Sequence, residues 1–369
     1  MTDAGELSLR VAWDGSTIGG VAVESTRPQA WRLLAGRTPQ QAVQMVPLLY
    51  SVCGKAQQTA AVAAVAAARG DDVMRLDASL ARAAGCEAMQ EHLWRLLLDW
   101  PQLLGLPAAR QQFVSWHGEL KAIAAGAEDA QVLREQLPQQ LLGLSAAEWR
   151  SIDSYAELSA WWRAGGGLAG PLVQALDQRE SMLEGAPPTC DLMPDWTVHD
   201  ALQACDGHID PEFAAMPHCD GRPMEAGTLA FRQHAPLLQD ILHVRRTRLL
   251  ARLIARLVDL QDSVDALAHG VDSGRIESAT VADGVGMALV RTARGALMHY
   301  VRIDNAAGTE KVAEYLTIAP TEWNFHPQGA LASLAGVGAA DEEQLMETVR
   351  MWVLSLDPCV EYRIEVDHA

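Results

Sequence analysis

With 369 residues the chain is long enough for one large domain or two smaller ones. A net charge of −18, with no Lys/Arg cluster interleaved with aromatics, argues against a nucleic-acid partner. The start, Met1 to Glu6, has no basic or apolar run, and the Ala-rich stretch Thr59 to Ala68 is too short to cross a bilayer. Neither a signal peptide nor a membrane partner is expected, and the cytoplasm is the default location. In such a reducing compartment Cys53, Cys86, Cys190, Cys205, Cys219 and Cys359 read as thiols or ligands rather than disulfides.

Leu7, Leu9, Val11 and Trp13 alternate with polar or small residues, the period of a strand. Asp14-Gly15 signals a hairpin, with Ile18 to Val23 as the return strand. Thr38-Pro39 reads as a helix cap followed by Pro at the first helical position. Pro47 is expected to break that helix, and Tyr50 to Gly54 to form a junction. A second helix runs from about Ala56 to Arg69, stopped by Gly70. From Asp77 to Gln178 helices alternate with breaks at Pro101, Pro107 and Pro138. Gly165 to Pro171 is a loop that lacks the Lys-Ser/Thr pair of a phosphate loop. Gly185 to Pro223 reads as irregular, and Pro236 to Gly270 as helix. Arg245, Arg246 and Arg248 form the one basic run, read as a solvated helix face. Strands are expected at Met287 to Arg291, Ala296 to Ile303 and Val312 to Ile318, and a last helix at Asp341 to Leu354. The fold class is therefore α+β: a mainly helical core with strands from both ends. It is read as one domain, 1–369, with an N-terminal hairpin (1–27), a mainly helical part (28–285) and a C-terminal part of strands, helix and a Cys motif (286–369).

Cys53 stands at a helix start. The helix dipole and free N–H groups there should lower its pKa and favour a thiolate, which soft metals prefer. Taken alone, Cys53 and Cys359 each read more readily as packed thiols, as does Cys86. The group Cys190, His199, Cys205, His208, His218 and Cys219 holds zinc-type donors, but its spacing matches no familiar finger. It reads as scattered packed or polar residues.

Order along the chain changes the reading of two of these cysteines. Gly36-Arg37-Thr38-Pro39-Gln40-Gln41-Ala42 precedes Ser51-Val52-Cys53-Gly54-Lys55-Ala56. The chain closes on Asp357-Pro358-Cys359-Val360-Glu361-Tyr362-Arg363-Ile364-Glu365. Between them stand His218 to Ala230, with Gly221-Arg222-Pro223-Met224-Glu225-Ala226-Gly227; Arg294-Gly295-Ala296-Leu297-Met298-His299; and Thr321-Glu322-Trp323-Asn324. In this order the segments resemble those of NiFe-hydrogenase large subunits. That family's end motifs are Arg-x-Cys-Gly-x-Cys and Asp-Pro-Cys-x-x-Cys-x-x-His. Here the first cysteine of each pair is kept. The second is Ala56 in one and Tyr362 in the other; Ser51 replaces the Arg and Glu365 the His.

The resemblance implies the family's large-subunit fold and places Cys53 and Cys359 at its metal site. The missing cysteines are the ones that bridge nickel to iron, so no nickel is expected. The family's Arg-x-Glu-Gly-His motif has no match near Leu7 to Gly15, so hydrogen turnover is not expected either. The pattern is similar to that of the HupK/HoxV accessory proteins. That similarity implies a non-catalytic scaffold that transiently holds an Fe(CN)2CO unit on Cys53 and Cys359, with Arg294 beside the cyanides. The implied partners are the hydrogenase large-subunit precursor and a small iron-donating maturation chaperone. With four residues after Glu365 in this sequence, no removal of a long tail by a maturation protease is expected. Two other readings are a divergent redox enzyme and a structural relative without metal. The first needs a new bridging ligand, with only Glu361, Tyr362 and Glu365 nearby. The second gives no reason to keep both cysteines.

Overall fold

The computed structural model describes residues 5–50, 52–71, 78–183, 188–205, 209–245, 247–270, 275–306 and 308–368. The expected N-terminal hairpin forms: β1 (Glu6–Trp13) pairs antiparallel with β2 (Ile18–Ser25). Asp14 shapes the turn, its carboxylate accepting the backbone N–H groups of Ser16 and Thr17. Leu7, Leu9 and Val11 all point into the core, as their period predicts.

The helix Pro39–Leu49 opens with Thr38 and Gln41 capping each other reciprocally. Pro47 does not break it. Pro138 likewise lies inside the helix Gln131–Leu141. Both prolines sit in a last turn, so each removes one backbone hydrogen bond close to the helix end and not in its middle. The helix Gly54–Ala68 follows, with Arg69 as its C-cap and Gly70 at φ +71°. Then come Ala78–Trp94 and a π turn at Arg95–Asp99. The segment read as irregular contains the capped short helices Val198–Gln203 and Pro211–Ala215, and β3 (Asp191–Leu192), which pairs in parallel with β4 (Met224–Glu225). The long helical segment is two helices, Pro236–Val244 and Leu249–Ala268.

A four-stranded antiparallel sheet runs in the order β5 (Ile276–Ala282), β6 (Val285–Thr292), β7 (Gly295–Ala306), β8 (Thr309–Ile318). It begins before the boundary drawn at 286. The sequence pattern missed β5 because it is a half-exposed edge strand carrying Glu277, Ser278 and Thr280. The last helix, Glu342–Leu356, is capped by Asp341. After Cys359 an unexpected strand, β9 (Glu361–His368), pairs in parallel with β1, giving the sheet order β2-β1-β9. Both ends of the chain thus meet in one sheet.

The helix Gly54–Ala68 lies on β6. Gly286 permits the contact: a Cβ there would stand 2.2 Å from both Ala64 O and Ala68 N. The helix that starts at Cys53 is therefore seated by the absence of one methyl group. Gly286→Ala should lower stability by about 2 kcal/mol, the usual cost of overpacking. The check is a lower urea midpoint at unchanged slope. An unchanged midpoint would mean that the helix can move off the sheet at no cost.

Candidate functional site

Several of the segments singled out in the sequence are in contact. Asn324 ties three of them together. Its Oδ1 accepts from Ala226 N at 2.9 Å, and its Nδ2 donates to Arg294 O at 2.9 Å and to Leu356 O at 3.5 Å. Gly295, at φ +135°, lets Ala226 O approach to where a Cβ would be 2.1 Å away. The Gly36-Arg37 segment is fixed to β8 by paired backbone hydrogen bonds with Val312.

Cys53 and Cys359, from opposite ends of the chain, lie within electrostatic reach of each other. Cys53 is the N-cap of its helix, and its sulfur accepts from Gln57 Nε2 at 3.6 Å. The Cys359 sulfur lies 3.1 Å from the Thr321 hydroxyl, which also accepts the Cys359 N–H at 3.4 Å. Arg294 is buried, pairs with Glu91 at 2.5 Å and with Asp357 at 3.2 Å, and its charge reaches both sulfurs. Burial opposes that charge, but the Asp357 and Glu91 carboxylates outweigh it and hold the guanidinium protonated.

The lowered pKa expected for Cys53 is not found. Burial, then the neighbouring Cys359, push its thiol up to about 12, with Arg294 opposing. The helix N-terminus does not serve the thiol, because the Glu87 carboxylate occupies it. Glu87 accepts Lys55 N at 2.8 Å and Ala56 N at 2.9 Å, and its own charge raises Cys53 further.

Several residues that the sequence did not single out complete the surroundings. Arg27, paired with Glu322, reaches both cysteines electrostatically. It lines a cleft of about 360 Å³ with Tyr50, Trp31, Phe325 and Thr321, the residue whose hydroxyl contacts the Cys359 sulfur. Asp357 caps the last helix at φ +59° and pairs with Arg95 at 2.8 Å, Arg256 at 3.0 Å and Arg294. Burial opposes its ionisation, but the three arginines hold it well below the usual carboxylate range. Glu87 and Glu91 stand one turn apart, a helical spacing the sequence does offer. Arg27 follows a strand and carries no comparable signal.

The two replaced positions hold no equivalent donor. Ala56 is buried in its helix, and Tyr362 lies in β9 opposite Leu7, its phenol pKa raised by burial. Ser51 lies outside the described residues. The remaining candidates stay scattered. Cys86 and Cys190 are buried, and the Cys205 thiol donates to Ala201 O at 3.0 Å. His218 Nδ1 accepts from Gly221 N, and His208 lies outside the described residues. Among the described residues no three His, Cys, Asp or Glu side chains converge as a metal site. Among them, too, no helix is long and apolar enough to cross a membrane.

The basic run is not a solvated face. Arg245 binds Asp177, and Arg248 pairs at 2.9 Å with buried Glu225. Arg246 lies outside the described residues.

The model of the nickel-dependent hydrogenase family matches residues 237–362. Over nearly the whole chain, the sequence is 30% identical to the hydrogenase expression/formation protein HoxV of Cupriavidus necator, covering 99% of this chain and 97% of the relative. It is also 30% identical to HupK of Azotobacter vinelandii, covering 99% and 100%. The chain belongs to the HupK/HoxV family of hydrogenase expression/formation proteins. Its fold is that of NiFeSe hydrogenases. The as-isolated oxidised enzyme of D. vulgaris Hildenborough superposes with a TM-score of 0.56 at 14% identity, over 93% of each chain. The H2-activated enzyme of Dm. baculatum gives 0.53 at 14%, over 94% of each chain. At that identity the likeness establishes the fold alone.

Three buried groups set an acid limit on this HupK/HoxV-family fold. Burial holds His299 neutral, with its pKa down at about 3, and also lowers His92. Unfolded chains take up protons on these rings from about pH 6.5 downward, so stability is lost as pH falls below that value. Glu225 is held at about 2 by Arg252 and Arg248 against burial, and adds a further loss below pH 4.5. The urea midpoint should fall steadily from pH 7 to pH 4. His299→Gln should flatten that slope by up to about 1.4 kcal/mol per pH unit. An identical slope in the variant would show that His299 ionises in the folded state.

Proposed function

We propose that this chain is a non-catalytic scaffold in NiFe-hydrogenase maturation. It receives an Fe(CN)2CO unit as cargo on Cys53 and Cys359 and passes it to the large-subunit precursor. The observation that carries this reading is that two half-buried thiols from opposite chain ends lie within electrostatic reach of the same two arginines, Arg27 and Arg294. Thiolate is the donor a soft iron centre takes, and guanidinium N–H groups suit cyanide nitrogens. Arg294 is the residue assigned to the cyanides.

The family names of the relatives support a maturation role. The absence of catalysis is inferred from the donor set. Ala56 offers no ligand, and a protonated Tyr362 phenol is a poor substitute for a bridging thiolate. Two thiolates cannot build a four-sulfur nickel site, so the cargo is iron without nickel. Fewer protein ligands also suit a unit that must leave again. A small iron-donating chaperone would reach the cysteines through the cleft beside Arg27 and Thr321. The exchange belongs in the cytoplasm, where the free thiols remain reduced.

The test is infrared spectroscopy with iron and nickel analysis on protein purified anaerobically from cells that express the maturation machinery. Cyanide and carbon monoxide stretching bands with stoichiometric iron and little nickel are expected. Cys53→Ala and Cys359→Ala should each abolish the bands. Bands that persist in both variants would overturn the site, and hydrogen uptake by the isolated protein would overturn the scaffold.

A further inference from the structure

Behind Cys53 runs a line of three buried side chains that the proposed function leaves unused. Gln57, one turn along the same helix and 1% exposed, donates from Nε2 to the Cys53 sulfur at 3.6 Å. Its Oε1 accepts from His299 Nε2 at 2.8 Å. His299 Nδ1 lies 2.6 Å from the Tyr315 hydroxyl, and both rings are buried.

The direction of each bond follows from the donor inventory. A glutamine oxygen only accepts, so His299 carries its proton on Nε2. The buried imidazole is neutral, so Nδ1 is bare and accepts the Tyr315 O–H. Tyr315 keeps its proton because burial raises its pKa well above the usual value. Three donors in series therefore point at one sulfur, each polarising the next. Burying a glutamine, a histidine and a tyrosine costs free energy unless all are paired, and here the pairing runs out of the core and ends on Cys53. Cys359 is served differently, by the single Thr321 hydroxyl at the cleft.

We propose that Gln57 is a positioning residue for the Cys53 sulfur, held in its donating orientation by His299 and Tyr315. The proposal rests on the reading of Cys53 as a cargo ligand. A hydrogen bond to a metal-bound thiolate fixes the sulfur and draws electron density from it, which weakens its donation to the metal. Gln57 thus makes Cys53 a restrained donor, suited to a ligand that must later let go.

Infrared spectra of the iron-loaded protein read this directly. Gln57→Leu should move the carbon monoxide and cyanide bands to lower wavenumber, because a stronger sulfur donor feeds more density into them. Tyr315→Phe should move them the same way by less, and it carries the test if Gln57→Leu does not fold. Cobalt(II) added to the metal-free protein gives a second readout. Its thiolate-to-cobalt absorption should shift to longer wavelength in the same two variants. Bands unmoved in both variants at wild-type metal content overturn the role of Gln57. A wild-type protein with no iron bands but a cobalt absorption that shifts in the variants overturns the iron reading and leaves the role of Gln57 standing. No iron bands and no cobalt absorption overturn both.

Discussion

Asp357 is a carboxylate with no exposure to water and three arginines around it. An unpaired charge in that position would be prohibitive, and breaking such a buried pair costs about 3–5 kcal/mol. Each arginine belongs to a different part of the chain: the π turn, the long helix Leu249–Ala268, and the turn before β7. Asp357 itself ends the last helix, two residues before Cys359. The ion cluster therefore decides where the C-terminal cysteine sits. It also fixes Arg294, whose remaining partner, Glu91, comes from the helix Ala78–Trp94. The site is rigid on this side because the core cannot relax without exposing a charge.

The N-terminal cysteine is held by different physics. Its helix is seated on β6 through Gly286 and capped by Glu87 from the next helix. Glu87 takes the helix N–H groups that a reactive thiolate would otherwise use. Cys53 is left as a half-buried thiol whose proton is costly to remove without a metal. Two features then offset its isolation: the positive charge of Arg294 and the amide of Gln57. Both cysteines are half-buried, but their sulfurs have different partners: the Gln57 amide for Cys53 and the Thr321 hydroxyl for Cys359.

The periodic elements were the legible ones. The hairpin, the Thr38 cap, the Cys53 helix and the strands from Met287 onward follow from alternation, capping residues and glycine stops. The misses have local causes. Pro47 and Pro138 fall in last turns, β5 is polar because it is an edge, and β9 carries Arg363, Glu365 and Asp367 on a half-exposed strand. Among the candidate site residues, Cys53, Cys359 and Arg294 are marked in the sequence by their place in ordered segments. Gln57 lies at helical spacing from Cys53, but its meaning depends on His299, which is 242 residues away in the chain. Arg27 and Glu87 have no pattern that marks them.

By itself, then, the sequence determined that this is a HupK/HoxV-type chain with one cysteine left from each pair, because ordered motifs are carried by residue identity and spacing. It could not determine the state of those cysteines. A helix-start position argues for an acidic thiol; the tertiary structure reverses this by partly burying Cys53 and giving the helix end to Glu87. The clamp on Asp357, the charge of Arg27 and the line from Tyr315 to Cys53 likewise exist only once distant segments meet. Burial and charge pairing depend on three-dimensional neighbours, and those neighbours are set by packing between segments that share no local pattern.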